Sequence, residues 1–301
     1  MDHVDFHRAP PSNLTTMVIA FGGWIDAGEA ATGALRHLVQ LLSAPRLASI
    51  DPETFFIFTQ ERPLVRMAGD NIRDLEWPQS EFFTWQPPES DGQTNLLLFR
   101  GMEPNKRWRT YTQTLLDVAE QCGVKRIISL GAVLTGNPHT RPPRITGRST
   151  DPAWQTLLKG WGIYRRPSYE GPTGISTVVL DAAAQRGIPS ISFSGQAPHY
   201  LQRRENPAVI QALLTYVSRL LDLDLDLSQF DAAIEDFRAQ CDQAVARDAS
   251  AQAHVRQLER DYDATVDEGN RPLPGEELNP DKLMQELEDF LREERERGDS
   301  P

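Results

Sequence analysis

Two cysteines in 301 residues are too few, and Cys122 and Cys241 lie too far apart, for a disulfide framework or a zinc site. The reading that remains is a pair of buried thiols in a reduced cytoplasm. No apolar run approaches the ~20 residues that a membrane-spanning helix needs. The N-terminus carries Asp2 and Asp5 and no apolar core, so it does not read as an export signal. Positive charge is scarce toward the C-terminus: residues 222–301 hold 23 Asp+Glu against 9 Lys+Arg, whereas the first 221 hold 20 against 22. Such an acidic quarter repels nucleic acid and anionic membranes, so neither is an expected partner. Catalytic signatures are missing too. There is no Gly-x-Ser-x-Gly elbow, no phosphate-binding nucleotide loop, no dinucleotide fingerprint and no His/Asp/Glu spacing of a metal site. No cofactor or metal is expected, and no catalytic residue is assigned.

What the first 220 residues do contain is an alternation of short apolar runs with amphipathic stretches, the pattern of an α/β sheet covered on both faces. Strands are expected at 17–21, 46–50, 55–59, 95–100, 126–130 and 189–195, with 82–85 as a shorter strand at an edge. Helices are expected at 27–42, 108–121, 174–185 and 207–221, the last opened by Pro207. Between them, residues 135–149 form a long loop with three prolines and three arginines. Loops of that length inside a domain usually lid a site or cover a partner. Residues 222–227 alternate Asp and Leu and read as a linker. Beyond it, Ser228 is expected to cap a helix with Phe230, Ile234, Phe237, Cys241 and Val245 on one stripe. A second helix carries Ala251, Val255, Leu258 and Tyr262, and a third is opened by Asn279 and Pro280. The expected division is an α/β domain over 1–222 and an acidic helical extension over 223–301.

Several segments, in one order, resemble the bacterial branch of the proteasome assembly chaperone family, also described as the PAC-two family. They are Phe21-Gly-Gly-Trp-Ile-Asp-Ala-Gly28, Leu98-Phe-Arg-Gly-Met-Glu-Pro104 with Trp108, and Gly131-Ala through His139-Thr-Arg-Pro142. Tyr169-Glu-Gly-Pro-Thr-Gly174 and Ser194-Gly-Gln-Ala-Pro-His-Tyr200 complete the set. The resemblance covers about residues 15–222, and the helical remainder is similar to the extension of actinobacterial-type members. It implies a three-layer α/β/α sandwich of the phosphorylase/hydrolase-like type with a C-terminal helical extension. It also implies self-association, a trimer being one arrangement, and a protein partner such as a proteasome component. Archaeal relatives dock through a C-terminal hydrophobic–tyrosine–any-residue tail. This chain ends Glu296-Arg-Gly-Asp-Ser-Pro301 and departs from that pattern.

If the central strands are parallel, the loops after them gather at one rim, where α/β proteins bind ligands. The candidate ligand-binding set there is Asp26, Glu103, His139, Arg141, Glu170, Thr173 and Gly174. Each has a plainer reading. Asp26 sits where a helix cap is needed, and Glu170 to Gly174 make a tight turn into a helix whose free N–H groups could hold a carboxylate or phosphate. Arg141 and Arg144 suit an interface loop that pairs with acids of a neighbouring subunit, and Trp24 suits packing or a subunit contact. Two functions therefore compete: a self-associating assembly or scaffold protein, and an enzyme or small polar-ligand-binding protein using the rim.

Overall fold

Where six consecutive residues are buried, as in Thr16 to Phe21, a strand must be covered on both faces, and the chain builds such strands at the centre of one sheet. The computed structural model describes residues 2–67, 73–87, 95–166, 168–201 and 205–267. In chain order the strands are β1 (Val4–Phe6), β2 (Thr16–Gly22), β3 (Arg46–Ile50), β4 (Leu64–Met67), β5 (Arg73–Glu76) and β6 (Ser80–Trp85). They continue with β7 (Leu96–Met102), β8 (Arg126–Thr135), β9 (Ile145–Ser149) and β10 (Ser190–Pro198). The helices are α1 (Ala30–Leu41), α2 (Trp108–Gln121), α3 (Pro152–Gly160), α4 (Ile175–Gln185), α5 (Pro207–Leu221), α6 (Asp231–Val245) and α7 (Ala249–Asp267).

Eight strands form one sheet in the order β1-β3-β6-β7-β2-β8-β10-β9. The four central strands, β7, β2, β8 and β10, are parallel, and every pairing outside them is antiparallel. Alternation along β2 decides the layers. Val18 and Ala20 point into a core shared with α1 and α5, and Met17, Ile19 and Phe21 into one shared with α2 and α4. The result is a three-layer α/β/α sandwich. The α1–α5 crossing depends on a glycine, since a Cβ on Gly33 of α1 would lie 2.7 Å from Ile210 Cδ1 of α5.

Several sequence expectations change. Residues 55–59 are a turn after a 3-10 segment, Pro52–Thr54, and not a strand; Phe55 and Phe56 are nonetheless buried. β6 is interior, between β3 and β7, because the aromatic face of 82–85 packs on Phe99 rather than on solvent. β8 runs on to Thr135, and the expected loop ends in strand β9, which pairs with β10. Helix α3 stands outside the expected helices although Asp151-Pro152 marks its start; the Asp151 carboxylate accepts from the amides of Ala153 and Trp154. The β4–β5 hairpin, a separate two-stranded sheet, is likewise additional to the expected strands. Residues 222–227 form no strand, and the segment is seated on the domain: Leu223 is buried in the α1–α5 core, and Leu225 and Leu227 pack against it. The turn that follows is held by Asp226, which accepts from the Ser228 amide and hydroxyl, so Ser228 is not a helix cap. The expected third C-terminal helix lies outside the described residues.

Candidate functional site

β2 leaves the sheet through Gly22-Gly23, and the path is set by a close neighbour. Gly23 has φ of +130°, and a Cβ there would lie 3.0 Å from Glu103 Cβ on the turn after β7. The chain then passes Trp24, which is 51 % exposed, and returns to the sheet at Asp26, bridged to Ala132 of β8. Asp26 is buried. Its carboxylate accepts the amides of Ala31 (2.7 Å) and Thr32 (3.1 Å) and the Thr32 hydroxyl. Helix α1 thus begins three residues later than expected, after a 3-10 turn, and Asp26 serves the N–H groups its first turn leaves open. Burial holds the Asp26 carboxyl above its usual range, and the bonds from Thr32 and Ala31 pull the other way.

Glu103 continues the same corner. Its amide donates to Gly22 O (2.8 Å), and its Oε2 accepts the amide of Ile175, the first residue of α4, at 3.0 Å. Gly174 is the residue that lets it in: a Cβ there would meet Glu103 Oε2 at 3.0 Å and Ile25 Cγ1 at 3.3 Å. The anion that the Gly-bounded turn is built to hold is therefore the chain's own carboxylate, seated at a helix N-terminus. Glu170 and Thr173 stand exposed on that turn, which is closed by the Tyr169 hydroxyl donating to Pro172 O (2.9 Å). Exchanging Glu103 for alanine is expected to cost about 1 kcal/mol, and for glutamine less, since an acceptor oxygen remains. Urea unfolding of the two variants beside the parent checks this.

His139 and Arg141 belong to a second corner, covered by the C-terminal helices. His139 is buried; its backbone amide donates to the Tyr200 hydroxyl (2.9 Å), and its Nδ1 lies 2.7 Å from the same oxygen. Its Nε2 lies 3.1 Å from Asp242 Oδ1 of α6. One assignment satisfies all three contacts: the Tyr200 hydroxyl donates to Nδ1, and Nε2–H donates to Asp242. Burial pushes the Tyr200 phenol up to about 12, so it keeps its proton. Next along the loop, Thr140 donates to Glu259 Oε1 (2.6 Å), and Arg141 grips Asp263 through two bonds of 2.8 and 2.7 Å. Arg144 donates to Tyr262 O (2.8 Å) and lies over its ring. Arg141 and Arg144 thus meet the chain's own α7, where the sequence reading had them pairing acids of a neighbouring subunit. The Arg141 guanidinium holds the Asp263 carboxyl below its usual range.

The seven candidates therefore divide. Asp26 serves the start of α1, Glu103 and Gly174 meet at the start of α4, His139 and Arg141 meet α6 and α7, and Glu170 and Thr173 face solvent. Sequence reasoning missed Tyr200, Asp242, Glu259 and Asp263. The four-residue spacing of Glu259 and Asp263 on one face of α7, opposite the arginines of the loop, was the available signal. Among the described residues no group of three or more His, Cys, Asp or Glu could hold a metal ion, and no helix is long and apolar enough to cross a membrane.

A different region carries bare apolar surface. In the β4–β5 hairpin Val65 pairs with Leu75 and Met67 with Arg73, so Val65, Met67 and Leu75 share one face of the ribbon. All three are 52–64 % exposed, and Trp77, the residue after β5, is exposed too, its ring edge-on to Phe58. The opposite face is mixed: Arg66 pairs with Glu76, and Leu64, opposite Glu76 in the register, is exposed as well. Beside the hairpin lies a cleft of about 430 Å³ over β3 and β6, where Glu81 is buried between Arg46 (3.3 Å) and Arg100 (2.8 Å).

Comparison with known proteins places these features. The PAC2 family model matches residues 20–245. A PAC2 family protein from Streptomyces avermitilis is 31 % identical, with a TM-score of 0.71, over 80 % of this chain and 99 % of its own. A proteasome-assembly chaperone homologue from Mycobacterium tuberculosis is 34 % identical, with a TM-score of 0.70, over 80 % and 100 %. An archaeal proteasome activator from Pyrococcus furiosus, at 19 % identity and a TM-score of 0.66 over 80 % and 97 %, shares the fold. No curated protein matches.

Proposed function

Because the chain belongs to the PAC2 family, we propose that it is a self-associating assembly or scaffold protein acting on protein partners, a proteasome component being the first to test. The observation that carries this is the bare face of the β4–β5 hairpin. A two-stranded ribbon is marginal in water on its own, and β4 is exposed at every position. Three apolar side chains on one face gain by being covered, and association covers them. The rim supports the same reading. Asp26, Glu103, His139 and Arg141 are each engaged by partners within the chain, and their bonds account for their placement without a ligand. The relatives point the same way, since the mycobacterial protein is described as a proteasome-assembly chaperone homologue. Cytoplasmic residence fits the two buried free thiols.

The test is a paired substitution, Val65→Glu with Leu75→Lys. The two residues face each other across the hairpin, so the new charges are opposite and preserve the ribbon while removing its apolar face. Light scattering after size exclusion should show the parent as an oligomer at micromolar concentration and the variant as a single chain. Both sites are exposed, so the melting temperature should stay within a few degrees. A parent that is monomeric, or a variant that assembles as well as the parent, would remove the basis of this reading.

A further inference from the structure

Helices α6 and α7 are attached to the body of the protein in different ways. α6 is anchored by burial: Phe230 just before it and Cys241 within it are both buried, and the Phe230 ring meets that of His37 on α1 at 4.8 Å. Among the described residues α7 buries Val255 alone, and Leu258 touches the loop at Gly136. Polar groups supply most of what holds it. Thr140 donates to Glu259, Arg141 grips Asp263 through two bonds, Arg144 lies over the Tyr262 ring, and His254 Nε2 meets His199 Nε2 at 3.2 Å. Ion pairs and polar bonds at a partly exposed surface are each weak in water, so α7 can leave without opening a core. The loop thus offers a hydroxyl and two guanidinium groups to one face of a helix that carries Glu259, Tyr262 and Asp263.

The turn between the two helices is not written into the sequence as a break. From Ser228 to Asp267 there is neither glycine nor proline. Ala246, Arg247 and Asp248 make the connection with helix-like bonds. The Ala246 amide donates to Asp242 O at 2.8 Å, and the Arg247 and Asp248 amides donate to Ala244 O and Val245 O. α7 starts afresh because the Asp248 carboxylate accepts the Ser250 amide at 2.8 Å, as a cap does. Alanine and arginine are strong helix formers, so the same residues also suit one continuous helix from Asp231 to Asp267. In that form α7, with its 19 residues, would project about 28 Å beyond the end of α6.

We propose that the 139–144 loop is a docking site for the acidic face of α7 that is exchanged between copies of the chain. The hinge at 246–248 straightens, and the α7 of a second copy takes the place of the chain's own. Fit argues for that occupant: the helix seated on the loop is α7, and every copy carries one. In the exchanged pair each loop keeps its bonds from Thr140 to Glu259 and from Arg141 to Asp263. Apart from the entropy of bringing two chains together, exchange alters the hinge alone, which is the low-cost route to a swapped dimer. Two chains related by a twofold axis fill both loops and leave none open. The exchange goes beyond association through the β4–β5 hairpin, which uses other residues.

Charge reversal in the full chain tests this, in a background carrying Val65→Glu and Leu75→Lys so that the hairpin face does not contribute. Arg141→Glu alone and Asp263→Arg alone each set like charges across the clasp. Each should lower the hydrogen-exchange protection of α7 by roughly tenfold, with amides of β2 and β8 as the reference for an intact fold. The chain carrying both reversals has opposite charges again and should regain protection. Mixing the two singly reversed chains, one of them isotope-labelled, matches charges only when each α7 sits on the other chain's loop. Native mass spectrometry should then show the mixed dimer, and α7 protection should return toward the parent's. Asp248→Ala removes the cap that restarts α7 and should raise the dimer fraction, roughly fivefold in the equilibrium for each hinge. The proposal is overturned if the single reversals leave α7 protected, if Asp248→Ala leaves the dimer fraction unchanged, or if no mixed dimer forms. The last result would leave the loop to the chain's own α7 or to an acidic helix of another protein.

Discussion

Exchanging Phe99 for alanine is expected to destabilise the fold by about 3–5 kcal/mol, the range for emptying a large aromatic site in a packed core. Phe99 is fully buried on β7, with its ring 4.7 Å from that of Phe82 and 5.4 Å from that of Phe21. One side chain thus ties β6, β7 and β2 together on the α2–α4 face. Little can relax into the gap, because Tyr111 above it is held by a 2.6 Å bond to the Ser80 hydroxyl. Phe99→Leu should cost much less, since most of the volume stays filled. For a chain of this size the alanine variant should melt roughly 10 °C below the parent. A change of only a degree or two would mean that β7 is not the central strand its register with β2 makes it. Since β7 ends at Met102 and leads directly into Glu103, the same variant should also loosen the Glu103 corner.

Asp26→Ala is the second large effect, expected at about 2 kcal/mol, because two helix amides and the Thr32 hydroxyl lose their acceptor inside the protein. Asp26→Asn separates bonding from charge, since an amide oxygen can still accept from Ala31 and Thr32. The pH dependence gives the sharper contrast. With its folded-state carboxyl held above the unfolded range, the native protein binds this proton more tightly than the unfolded chain. Stability contributed by Asp26 is therefore full below about pH 4 and declines as pH rises through the folded value. The asparagine variant should lack that decline and be close to the parent in stability at neutral pH. Denaturant midpoints of the parent and both variants from pH 4 to 7 check the ordering. A parent curve parallel to that of Asp26→Asn would show the carboxyl to be unperturbed by its burial.

Much of the fold was legible because burial on both faces leaves a continuous apolar signature. Residues 17–21, 95–100 and 126–130 each show it, and each is a central strand. Elements with one covered face or none were harder to read. β4 is exposed along its whole length, so no burial pattern marks it, and β9 hid within a stretch whose three prolines and three arginines read as loop. Residues 55–59 misled for the opposite reason: aromatic burial looks the same in a strand and in a turn that tucks its side chains inward. At the rim, Asp26 was readable as a cap from its place before a helix, whereas the partners of Glu103 and Arg141 were not. Glu103 and Ile175 are 72 positions apart, and Arg141 and Asp263 122. Spacing of that kind leaves no periodic trace.

Local chemistry in the sequence determined the central strands and helices, the acidic character of the C-terminal quarter and, through an ordered set of short motifs, the family. Those follow from neighbours a few residues apart, where period and turn chemistry act. Which carboxylate fills the N-terminus of α4, which acids hold Arg141, and that His199 meets His254 were decided only when the parallel sheet brought distant turns to one rim and α7 folded back over it. Such pairings depend on closing long loops around a packed core, and no single stretch of chain encodes them.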